Sequence, residues 1–287
     1  MEVGIGLPST VPDTEGTVVL EWAKRAESHG FSTLATIGRL VYPNYEELVT
    51  LAAAAAVTSR IRLTTGVLLA PLYANTALLA KQAASLDRLS GGRLVLGLGL
   101  GGRDDDFSAS GLTTEGRGRH FVQQVDEMKR IWAGEKFGYA GGIGPAPARP
   151  GGPQLVFGGG SAATFHRVAR LADGWMMGGG TPDMFAQGAA AADAAWVEAG
   201  RSGKPRKMSL AYFALGPEAR AHADGYLHSY YGWLGDFASQ IAAGAATSAE
   251  MVKGYKGAFE AKGCDELIFV PCSSDLGQVE MLAEAVA

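Results

Sequence analysis

Short apolar runs alternate along this chain with longer segments whose apolar positions recur at helical spacing. Residues 2–7 (EVGIGL) form the first run and predict a strand. Residues 16–29 predict an amphipathic helix, with Val18, Leu20, Trp22 and Ala26 among its apolar positions and Gly30 as its stop signal. A strand at 32–37, an alanine-rich helix at 46–59, a strand at 61–69 and a helix at 76–89 continue the rhythm. A strand at 93–98 and a helix at 117–132 complete the first half. The second half predicts strands at 154–157, 174–177, 207–215 and 265–270, with helices at 162–171, 182–199 and 276–286. Two further helical pieces, about 217–244 and 248–262, fall between the seventh and eighth strands.

Strands that alternate with helices imply a parallel sheet. Eight such units in 287 residues match the arithmetic of a closed α/β (β/α)8 TIM barrel, one domain over residues 1–287 with an extended helical segment at 217–262. The competing architecture is an open doubly wound sheet. It lacks support because no G-x-G-x-x-G fingerprint opens the first βα unit.

Composition narrows the function classes. Hydrophobic residues make up 47% and charged residues 19%, a globular balance. The net charge of −4 and the lack of a basic run argue against nucleic acid as a partner. The longest unbroken apolar stretch is 51–57, far short of the roughly 20 residues of a bilayer span. The N-terminal MEVGIGLPST has no basic region before an apolar run. Cys264 and Cys272 form neither a disulfide framework nor a zinc motif, and a cytoplasmic enzyme is expected. The 41 glycines cluster informatively. Residues 99–102, 158–160 and 178–180 follow the fourth, fifth and sixth strands, at the end where barrel active sites are built. Glycine there either makes a tight turn or bares N–H groups to a ligand.

Residues 45–101 carry a more specific pattern. The alanine-rich helix runs into T-S-R-I-R-L, then T-G-V-L, A-K-Q-A-A-S-L-D-R-L-S-G-G-R and L-G-L-G-L-G. A second block reads P-Q-L-V-F-G-G-G-S, then A-D-G-W at 172–175. Together these resemble the luciferase-like monooxygenase family, whose members use flavin or the deazaflavin F420. The resemblance is strong over about residues 1–180. It implies a (β/α)8 barrel with a reduced flavin, either FMN or coenzyme F420, in its mouth. It also implies a non-proline cis peptide at Gly66-Val67 beneath the ring, and contact from Gly99 and Gly101. The cofactor phosphate is expected on Gly159, Gly160 and Ser161, with Thr181 as a weaker candidate. Free N–H groups and the positive end of a helix dipole suit a phosphate, and Ser161 is equally an ordinary N-cap.

The chain also departs from that family. Where many members carry Asp-His after the second strand, this sequence has Gly38-Arg39. Gly102 occupies the position of a glutamate in deazaflavin-dependent sugar dehydrogenases. Hydride abstraction from an alcohol needs a base, and both usual candidates are absent. Arg39 is a candidate for stabilising an anion, and Tyr42 for a hydrogen bond or stacking; each is equally a loop or packing residue. Asp104, Asp105 and Asp106 read as a solvated loop with a capping Asp, and no metal site is expected. Arg103, Phe107 and Tyr231 are candidates for the substrate pocket, Tyr231 from an aromatic segment after the seventh strand. The expected activity is a monooxygenase using reduced flavin and O2 on a small organic molecule, with a separate flavin reductase as a partner. The alternatives are an F420-dependent reductase or dehydrogenase and a non-catalytic flavin-binding barrel. Small side chains on the helices at 46–58 and 76–89 predict a homodimer.

Overall fold

Pairing between the first and last strands closes the sheet. The computed structural model describes residues 1–287. Its strands are β1 (Glu2–Gly6), β2 (Thr33–Thr36), β3 (Arg62–Thr65), β4 (Leu68–Leu69), β5 (Leu94–Gly99), β6 (Gln154–Gly158), β7 (Gly174–Met177), β8 (Arg206–Phe213) and β9 (Glu266–Pro271). Every pairing is parallel, and β5 joins both β3 and β4. The third stave is therefore one strand interrupted at Gly66-Val67, where the peptide bond is cis. The run at 61–69, expected as one unbroken strand, is thus two short ones. Eight staves form a closed parallel barrel ringed by helices, a (β/α)8 TIM barrel.

The helices are α1 (Gly16–Ser28), α2 (Glu47–Val57), α3 (Thr76–Leu89), α4 (Asp104–Ala109), α5 (Arg117–Trp132), α6 (Ala162–Leu171) and α7 (Pro182–Glu198), then α8 (Ala219–Tyr231), α9 (Asp236–Ala243), α10 (Ala249–Ala261) and α11 (Gly277–Val286). The piece read as one helix over 217–244 is three: α8, a 3-10 turn at Gly232–Leu234, and α9. Gly235, at φ 58° and ψ −131°, ends the turn in a conformation that only glycine adopts readily. The triple Asp is a correction. It opens helix α4, and Asp106 is fully buried where a solvated loop was expected.

Two apolar layers follow from strand alternation. Outward residues such as Leu34, Leu63, Leu96 and Leu267 meet the helices in the larger core. Inward residues such as Ala35, Val95, Val156, Met176, Leu210 and Ile268 fill the barrel. An ionic plug closes the N-terminal end. Glu266, fully buried, accepts from Arg62 at 3.1 Å and Arg206 at 2.7 Å, and from Ser32. Glu2 takes a second bond from each arginine at 2.6 Å. The glycine-rich turns after β5, β6 and β7 lie at the opposite end.

Candidate functional site

The floor of the mouth is built by glycines yielding to one valine. A Cβ on Gly99 would lie 2.6 Å from Val67 Cγ2, and one on Gly158 would lie 3.0 Å from it. A Cβ on Gly97 would stand 1.9 Å from the carbonyl oxygen of Thr65, so no larger residue fits there. Gly66 is buried between Leu210, Met176 and the Thr36 carbonyl. Val67 thus presents a half-buried apolar surface on a floor without bulky neighbours. Gly66, Val67 and Gly99 are brought together there, and Gly101 sits at the rim against Leu69 and Phe107.

Beside this floor, β6 runs into α6 through Gly159, Gly160 and Ser161. All three are exposed. The Ser161 side chain caps α6 by accepting from the Thr164 amide at 3.2 Å. Trp175 Nε1 donates to the Gly159 carbonyl at 2.7 Å and holds the turn from behind. Nothing lies within 4 Å of where a Gly160 Cβ would be. The amides of Gly160 and Ser161 donate to no protein oxygen, and they head a ten-residue helix. Bared amides, open space and a helix N-terminus suit a phosphate. A groove of about 520 Å³ continues from Gly159 and Gly160 to Gly178 and Gly179. Thr181 stands beyond it, exposed, and caps α7 through the Met184 amide at 3.2 Å.

A cation to which no motif points lies behind the cradle. Arg167 Nη2 donates to Thr164 Oγ1 at 3.3 Å, and that hydroxyl is 3.0 Å from Ser161 Oγ. Burial lowers the pKa of its guanidinium. Its helical spacing of three from Thr164 was the available signal.

Arginines and tyrosines form the opposite rim. Arg39 donates to Asp105 at 2.8 Å and to the Tyr230 carbonyl at 3.0 Å. Its side chain is only 7% exposed, so it is no solvated loop arginine. Arg103 donates to Asp106 at 2.8 Å and to the Gly38 carbonyl at 3.0 Å. Asp106 also accepts from the amides of Leu40 and Val41, which explains its burial. Arg39 lies over the Tyr42 ring, and Arg103 over Tyr230 and Trp233. Tyr42 is linked to Ser229 of α8 at 2.8 Å. Tyr231 meets the hydroxyl of Tyr212, from inside the barrel, at 2.6 Å. Arg39, Tyr42, Arg103 and Tyr231 therefore converge. Phe107 is 2% exposed and packs beneath Gly101.

Glu47, the first residue of α2, was also not singled out in the sequence. It is buried, makes no ion pair, and its Oε1 has no hydrogen-bond partner. Burial, with added repulsion from Glu46 and Asp106 against the attraction of Arg103, pushes its pKa up to about 8. A Cβ at Gly38 would lie 2.9 Å from its carboxyl carbon, so the glycine clears the space it fills.

Residues 1–263 match the model of the luciferase-like monooxygenase family, and the chain belongs to that family. An uncharacterized protein of Mycobacterium tuberculosis is 33% identical over 218 residues, 66% of this chain and 77% of that one. An F420-dependent secondary alcohol dehydrogenase, solved with an F420–acetone adduct, superposes with a TM-score of 0.83 at 16% identity, over 100% of this chain and 99% of its own. The oxygenating constituent of 3,6-diketocamphane monooxygenase of Pseudomonas putida, solved with FMN, gives 0.76 at 18% identity, over 100% and 98%. These two structures share the fold.

Proposed function

We propose that this chain is an oxidoreductase that takes a reduced flavin, FMN or F420, into the barrel mouth and acts as a monooxygenase on a small organic molecule. One observation carries the reading. A glycine-cleared apolar floor and a phosphate cradle stand side by side at one end of the barrel. The floor suits a flat ring and the cradle suits the phosphate that both cofactors bear, so the residues fit the group. When bound, the reduced cofactor supplies the electrons. The chain does the rest. Gly160 and Ser161 hold the phosphate through neutral amides, with Arg167 adding positive charge behind Thr164. Arg39 and Arg103, each paired with an aspartate, stand on the far rim and tie its loops together through the Tyr230 and Gly38 carbonyls. Tyr42 and the buried Tyr230 cover Arg39 with their rings. A separate reductase delivers the reduced cofactor in this reading.

F420-dependent hydride transfer is the second reading. Glu47 favours it, because a carboxyl that holds its proton beside the mouth supplies the acid–base partner that the loss of the Asp-His pair removed.

Titration with FMN and F420, oxidised and reduced, tests both. Oxygen uptake with reduced FMN supports the first reading, and hydride transfer from reduced F420 the second. Gly160→Val fits the empty space around Gly160 and leaves the barrel folded, while its side chain fills the cradle. Cofactor affinity should fall at least tenfold, the equivalent of about 1.4 kcal/mol. Unchanged affinity in the folded variant would move the phosphate elsewhere.

A further inference from the structure

A second concavity opens beside the mouth, between the β2–α2 loop and the segment after β4. Its volume is about 260 Å³, below the roughly 300 Å³ of the smallest drug-sized pockets. Leu40, Leu69, Leu72 and the body of Tyr73 make it largely apolar. Four charged or amide residues also line it, Arg39, Asn44, Glu46 and Glu47, and three of them carry a buried atom without a partner: Nε of Arg39, Oδ1 of Asn44 and Oε1 of Glu47. Buried polar groups are ordinarily satisfied, and three orphans around one small space mark a place built for a partner. Leu69 ties this space to the mouth, since it also lies 3.1 Å from where a Gly101 Cβ would stand.

We propose that this concavity is a ligand subsite for the oxygen-bearing end of a small, neutral, largely apolar molecule, with Glu47 donating the hydrogen bond to that oxygen. The direction of the bond follows from what surrounds the carboxyl. Arg39 and Arg103 are the cations that face it, and both are already committed, to Asp105 and to Asp106. Glu46, which caps its helix, Asp106 on α4, and the hydroxyl-bearing Tyr73 and Tyr230 supply no positive charge to offset ionisation. A carboxyl so placed keeps its proton and is a donor at neutral pH. A neutral accepting oxygen is therefore preferred, and an anion is repelled by Glu46 and Asp106. Gly38 contributes by omission, because any side chain there would drive the Glu47 carboxyl from its seat. The inference rests on the flavin reading for its place in a reaction, but not for the binding itself.

The test uses the full chain and cyclohexanone, with methylcyclohexane as the oxygen-free control and cyclohexanecarboxylate as the anion. Binding is followed by saturation-transfer NMR, with and without added FMN or F420. Cofactor uptake is read separately from flavin absorbance, so a chain that binds cyclohexanone but no flavin sinks the functional reading and leaves this one standing. The expected results are selective binding of cyclohexanone, retained in Glu47→Gln, which keeps a donor, and weakened roughly tenfold in Glu47→Leu. Raising the pH through about 8 weakens binding to the native chain but not to Glu47→Gln. Infrared difference spectra at neutral pH should contain a protonated-carboxyl band that Glu47→Gln abolishes, a readout that stands even if Glu47→Leu does not fold. No uptake of cyclohexanone, equal uptake of methylcyclohexane, no effect of Glu47→Leu in a folded protein, or absence of the infrared band would each overturn the proposal.

Discussion

At Glu46 and Glu47 two adjacent glutamates do opposite work. Glu46 stays in solvent and caps α2, accepting from the Val49 amide at 2.6 Å. Glu47 turns inward and loses every partner. Its folded pKa, about 8, lies above the ordinary 4.5, so between those values the native state holds a proton that the unfolded chain has released. Stability therefore declines as pH rises through that window. Glu47→Gln cannot ionise, so it should gain on the native chain by a few kcal/mol between about pH 5 and about pH 9. Thermal melts of both proteins across that range measure the gap, and a constant gap would show that Glu47 is ionised when folded. Nothing in Tyr45-Glu46-Glu47-Leu48 distinguishes the two acids beforehand. Helix rotation separates neighbouring side chains by about 100°, and which one faces inward depends on how the helix docks. The cis bond at Gly66-Val67 was legible by contrast, because the motif around it leaves a mark in the sequence itself.

Among the elements, those with local signals were read well. α3, α5 and α6 begin and end at the expected residues, since periodicity and capping are written locally. α4 was missed because six residues hold too little periodicity, and Asp106 owes its burial to Arg103 and to amides more than 60 residues away. The turn between α2 and β3 illustrates the same limit. Glu27, on α1, accepts from the amides of Ser59, Arg60 and Ile61 at 2.6–3.0 Å. Partial burial pushes its pKa up, but these donors more than offset that and hold it at about 2. With the folded value depressed, the contribution is present above the ordinary 4.5 and lost as pH falls toward 2. Glu27→Gln should cost about 1 kcal/mol near neutrality, a figure discounted for solvent screening, and the cost should fade in acid. Urea titrations at neutral and acidic pH check it, and an equal loss at both would assign the effect to shape alone.

The whole molecule leaves an uneven surface. Val49 on α2 is 68% exposed, and Leu78 and Leu89 on α3 are 52% and 79% exposed. The two helices are neighbours, so these side chains suit a surface that a second copy would cover. Light scattering at micromolar concentration should give a dimer mass, and Val49→Glu combined with Leu78→Glu should halve it. A native chain of monomer mass would end that expectation.

The arginine–glutamate plug at Glu266 has a kinetic consequence. With Arg62 and Arg206 bridged across the far end and side chains filling the interior, small molecules come and go at the mouth end alone. Two occupants that share that end cannot exchange independently where one lies over the other. Traffic should then be ordered. A saturating second ligand should slow dissociation of the first in stopped-flow measurements, and a dissociation rate that ignores the second ligand would mean the two occupy separate entrances.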